Sequence, residues 1–126
     1  MKQTITLHTG TDAHEVMADV RGSVALHTSA DNKKMMTITH VASGLRIVEC
    51  VNKPEARAIL TELAALDWTA VDAAAATITA AVDAWHASGC AGPRPSPITS
   101  IDPVLYAAIC EILTRYGYTQ RKQAAQ

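Results

Sequence analysis

Five histidines and three cysteines are the residues of this chain with the widest chemical repertoire. A Leu-His-Thr-x-x-Asp element occurs twice, at Leu7–Asp12 and at Leu26–Asp31. His8, His27 and a third residue, His40, all lie in stretches that alternate as strands do. Imidazoles carried by neighbouring strands on one open sheet face would supply three nitrogen ligands and leave a fourth position free, the pattern of a catalytic zinc site. Carboxylates or carbonyls behind the rings would have to orient them. The competing reading is structural. A strand ending in Thr-x-x-Asp is running into a turn, where Thr and Asp bond nearby backbone amides. Alternation then turns Leu7 and Leu26 to the core and His8 and His27 to the opposite face. A chain of this length yields one such partial repeat by accident, and the flanks do not align. The repeat is read as two strand ends, with a metal site at His8, His27 and His40 as the alternative.

Other constellations are incomplete. His14-Glu15 begins like HExxH, but Ala18 stands where the second histidine is needed. His86 and Cys90 are four apart, yet Gly89 between them stops a helix, and no second pair exists. Ser43-Gly44 and Ser88-Gly89 fall in turns without the GxSxG context of a nucleophile elbow. P-loop, GxGxxG and CxxC patterns are absent, and carboxylates sit mostly at helix starts and on polar faces. The expectation is a protein that is not an enzyme and needs no cofactor.

These residues are carried by elements of two kinds. Residues 1–51 read mainly as strand. Ile5 and Leu7 alternate with Thr4, Thr6 and His8, and Val24 alternates with Leu26. Met36–Val41 and Leu45–Val51 form a hairpin around Ala42-Ser43-Gly44, where Gly44 supplies a positive φ. In the hairpin's second strand, Leu45 and Ile47 share the helix-facing side, while Arg46 and Val48 share the open side. Residues 13–19 are ambiguous: Asp12-x-x-Glu15 resembles a capping box, whereas Val16, Ala18 and Val20 alternate as a strand. Residues 52–117 read as three helices. Asn52, Pro54 and Glu55 open the first, with a stripe at Ala56, Ile59, Leu60, Leu63 and Ala64. Thr69 and Asp72 open the second, through Ile78 to Trp85, ending at Gly89. Asp102-Pro103 opens the third, with Leu105, Ile109 and Ile112, ending at Gly117. Pro93, Pro95 and Pro97 stiffen an extended connection. Residues 118–126 form a frayed tail. The fold class is therefore α+β in one domain, 1–126: an antiparallel meander of about four strands packed on three helices in two layers.

Bulk properties narrow the partners. The formal net charge of −1 argues against general affinity for nucleic acid or anionic membrane, and no stretch reaches the ~20 apolar residues that cross a bilayer. Three well-separated cysteines favour a reducing compartment, so a cytoplasmic protein is expected. Between Ala58 and Pro93 there are four acids and no Lys or Arg, while Asn32–Arg57 carries five basic residues against two acids. An acidic helical side and a basic sheet end can steer a protein partner by complementarity. Lys33, Lys34 and Arg46, with Trp68 at a helix junction and Arg94 in the proline loop, are the candidate partner-binding residues. A larger protein or complex is the expected partner, with a homodimer as the other arrangement; weak nucleic-acid binding by the basic cluster is a further alternative, against which stands its lack of interleaved aromatics for stacking.

The hairpin "THVASGLRIVE" and the Pro-capped helix after it, Thr39–Leu66, resemble small accessory proteins of phages and other mobile elements. Anti-CRISPR proteins are one such group. The resemblance implies a short protein that acts by binding a larger bacterial machine, as an inhibitor of a defence complex would. It carries no functional residue to this chain.

Overall fold

A computed structural model describes residues 2–9, 12–28, 36–44, 46–51, 53–89 and 97–118. The strands are β1 (Lys2–Thr9), β2 (Asp12–Arg21), β3 (Val24–Thr28), β4 (Met36–His40) and β5 (Arg46–Val51). They form one antiparallel meander in the order β1-β2-β3-β4-β5. Five helical segments follow: α1 (Lys53–Ala64), α2 (Thr69–Ala73), α3 (Ala75–Ala87), α4 (Pro97–Ile101) and α5 (Pro103–Arg115). The domain is α+β, a five-stranded sheet with a helical layer. The ambiguous stretch after Asp12 is a strand, because eight of its residues pair with β1, from Lys2 opposite Asp19 to Thr9 opposite Asp12. The two Leu-His-Thr segments do end strands, at Thr9 and at Thr28.

The principal core lies between sheet and helices. Val24, Leu26, Ile38, Ile47 and Val48 from the sheet meet Ile59, Leu60 and Leu63 of α1, Val71 and Ile78 of α2 and α3, and Leu105, Ile109 and Leu113 of α5. A smaller cluster of Ile5, Ala18 and Ala25, flanked by Val16, Val20 and Val41, lies on the sheet's other face. Arg57 of α1 pairs with Asp19 at 3.0 Å, and Arg21 donates to Thr61, fastening α1 to the end of β2.

Local signals set the helix ends. Asp102 caps α5 by accepting from the Leu105 amide, with Pro103 in the first turn. At its end Gly117 takes φ 86° while the Tyr118 amide bonds back to the Leu113 carbonyl. Two expectations are corrected. The second helix is broken at Ala74 into α2 and α3, and its start is held by Asp67, which accepts from both the amide and the hydroxyl of Thr69. Pro97 does not extend the preceding connection but opens the single turn of α4. Residues 90–96, which hold Pro93, Arg94 and Pro95, lie outside the described residues, as do Lys33 and Lys34.

The hairpin faces also differ from simple alternation. Ile38 stands opposite Val48, but the next residue, Thr39, stands opposite Arg46, so β5 bulges at Ile47. The extra residue returns Val48 to the helix side, and both Ile47 and Val48 lie in the principal core. Arg46 keeps the opposite face, half-buried, in register with Thr39.

Candidate functional site

The histidines do not converge. Val24 pairs with His40 and Leu26 with Ile38, while His27 pairs with Thr37, so His40 lies on the helix side of the sheet and His27 on the other. His8 stands in β1, two strands from β3. Neither β3 face is open: Val24 to His27 are all buried, with His27 only 3% exposed. Its Nε2 lies 2.8 Å from the Thr39 hydroxyl diagonally across the ladder, and its Nδ1 lies 3.0 Å from the Thr28 carbonyl. The metal alternative is thereby corrected. A three-imidazole site needs one face, and the pleat divides His27 from His40. Among the described residues no group of three His, Cys, Asp or Glu is placed to hold a metal ion.

His40 is the centre of a different constellation. Its ring is wholly buried, with Nε2 2.7 Å from Asp72 Oδ1 and Nδ1 2.7 Å from Ser43 Oγ. Asp72 accepts a further bond from the Ser23 hydroxyl at 2.7 Å. In the neutral tautomer that donates Nε2–H to the carboxylate, Nδ1 is left to accept from Ser43. The Ser43 carbonyl accepts from Thr79 of α3. The indole of Trp68 stacks on the imidazole, with ring centroids 5.4 Å apart and planes 17° apart. The chain Ser23–Asp72–His40–Ser43 thus ties two hairpin turns, one beside Gly22 and one closed by the Gly44 amide on the His40 carbonyl, to α2 and α3.

Serine, histidine and aspartate in one chain invite comparison with acyl-transfer machinery. A nucleophile must be presented to its substrate and the base must reach its proton. Ser43 is 4% exposed and His40 is 0%, while the accessible member is Asp72, whose side chain is 42% exposed. What the arrangement does is satisfy buried polar atoms and fix the ring. Trp68, expected among partner-binding residues, is 3% exposed and donates its indole N–H to the Leu63 carbonyl at 2.7 Å. It belongs to the core rather than to a surface, because the corner between α1 and α2 closes over it.

Among the described residues, an open groove lies between the end of α1 and α5. It is a groove of about 330 Å³ lined by Glu62, Ala65, Leu66, Ala108, Glu111, Ile112 and Arg115. Glu62 is its fixed point: Arg115 and the Tyr116 hydroxyl each donate to one of its oxygens at 2.6 Å. The Tyr116 hydrogen bond, then the Arg115 guanidinium, hold the Glu62 carboxyl below its ordinary value, and the same contact raises Tyr116 and Arg115. The Glu62–Arg115 pair is therefore charged at neutral pH and preset in geometry, above a floor of Ala65, Leu66, Ala108 and Ile112. Sequence reading assigned an acidic helical side but not this groove. The visible signal was the i, i+3 and i, i+4 spacing of Ala108, Glu111, Ile112 and Arg115; which helix faces them is a tertiary fact. Comparison with family models, curated proteins and solved structures finds no match to this chain.

Proposed function

We propose that the chain is a non-enzymatic protein-binding module that receives an amphipathic helix of its partner in the α1–α5 groove. The carrying observation is the groove itself, an apolar floor beside the fixed Glu62–Arg115 pair. Helix-in-groove recognition needs a hydrophobic trough with a polar border, and small side chains such as Ala65 and Ala108 let a backbone approach. Charge supports a basic partner. Residues 53–118 carry seven carboxylates against four Lys and Arg, and two of those carboxylates, Glu62 and Glu111, line the groove. Complementary charge around such a site speeds encounter and sets register. Inhibition of a larger bacterial complex, as the hairpin-helix resemblance implies, is the particular form of this reading. No described helix is long and apolar enough to cross a membrane.

The test is capture from a bacterial lysate by immobilised protein, side by side with Ala108→Arg. Ala108 is half-buried in the groove floor, so the long cation fills the trough and repels a basic helix. The expected outcome is a protein retained by the native chain and lost by more than about tenfold from the variant, a change of about 1.4 kcal/mol. Equal retention by both, with the variant folded, removes the groove from the interface.

A further inference from the structure

We propose that β1 is a self-pairing edge through which two copies of the chain join in one continuous ten-stranded sheet. The proposal is independent of the groove reading and concerns the β1 edge of the sheet.

β1 ends the meander, and β2 is the only described strand that pairs with it. Edge strands are normally protected by shortness, proline, bulges or repeated charge. β1 has eight residues, no proline, no register shift against β2, and no Lys, Arg, Asp or Glu after Lys2. Symmetry then selects how a second copy can add. Directly opposite residues of an antiparallel pair share a face, so the two-fold axis must stand normal to the sheet and match like faces. Two central registers satisfy this. Centring on Ile5 sets Lys2 opposite His8 and Gln3 opposite Leu7, leaving an apolar residue against an amide. Centring on Thr6 sets Ile5 opposite Leu7 twice, Thr4 opposite His8 and Thr6 opposite itself, and carries Lys2 beyond the paired stretch. The Thr6 register is the one we assign.

Charge does not oppose the contact. Residues 1–52 contain five basic and five acidic side chains, so the sheet halves meet without net repulsion. The axis also leaves both helical layers on one side of the joined sheet, so two α1–α5 grooves open in the same sense and a dimer presents them together. A single strand pair buries little area, which makes the dimer reversible and concentration-dependent.

Sedimentation equilibrium of the full chain, from about 5 to about 500 μM, reads the result directly. The mass is expected to rise from 13.4 kDa toward twice that value. Thr6 is exposed and stands opposite Glu15 on β2, so Thr6→Lys leaves the melting curve in place and Thr6→Glu lowers it only slightly, yet each sets like charges across the two-fold and weakens dimerisation at least tenfold. Mixing equal amounts of the two variants restores the dimer, because opposite charges then face one another. A monomer throughout the range, masses beyond the dimer, a dimer indifferent to Thr6→Lys, or a mixture that stays monomeric would each overturn the assignment.

Discussion

Replacing His40 with alanine is expected to lower stability by about 3–5 kcal/mol, enough to lower the midpoint of thermal unfolding by roughly 10–20 °C in a chain of this size. Three losses combine. The imidazole is wholly buried, so its removal leaves a void in the principal layer. The bond between Nδ1 and the Ser43 hydroxyl, in a residue 4% exposed, is lost with the ring. Trp68 loses the ring on which it stacks. Asp72→Asn is the control: its side chain is 42% exposed and rehydrates, so it is expected to cost only about 1 kcal/mol. Urea unfolding followed by circular dichroism measures both. A His40→Ala loss below about 1 kcal/mol would show that the chain from Ser23 to Ser43 does not hold the turns to the helices.

Trp68→Ala is expected to cost a similar amount, about 3–5 kcal/mol. The indole is 3% exposed and fills the corner where α1 gives way to α2, so its loss opens one of the largest cavities a single change can make here. Trp68→Phe separates packing from hydrogen bonding. It keeps a ring over His40 but drops the N–H bond to the Leu63 carbonyl. That carbonyl also accepts from the Leu66 amide, so it is not orphaned, and the expected cost is only about 1–2 kcal/mol. The His40→Ala and Trp68→Ala costs should not add, because each removes half of one stacked pair. Full additivity in the double variant would contradict the stacking.

The strands were legible where one local pattern stood alone. Val24 and Leu26, Met36–Val41 and the Gly44 turn declare themselves by alternation and by a positive φ of 73°. β2 was not, since Asp12-x-x-Glu15 satisfies a helix start as well as a strand; its eight pairs with β1 settle it, and pairing is not a local property. The bulge at Ile47 was hidden for a related reason. Leu45 and Ile47 alternate with Arg46 and Val48, and only the partner strand shows that Ile47 and Val48 both face the helices.

The site was less legible than the fold. Sequence reading gathered His8, His27 and His40 on one open face, but parity within β3 and β4 separates His27 from His40, and both faces of β3 are buried. Asp72 was assigned to a helix start because of its spacing from Thr69. It does lie in the first turn of α2, but from there its carboxylate crosses to the sheet, 32 residues from His40 and 49 from Ser23, distances at which no motif spacing applies. The resulting division of labour is physical. The described imidazoles of the sheet, His27 and His40, satisfy buried polar partners, and the groove offered to a partner is built from helix surfaces.

That division makes the central claim measurable by hydrogen exchange on the full chain, alone and saturated with the protein it captures. Slowed exchange is expected in the amides of α1 from Glu62 onward and along Ala108–Arg115 of α5, where the groove is covered, with the 41–44 turn unchanged. Protection centred on that turn and on β5 around Arg46, with α1 and α5 exchanging as before, would contradict it and return the interface to the hairpin.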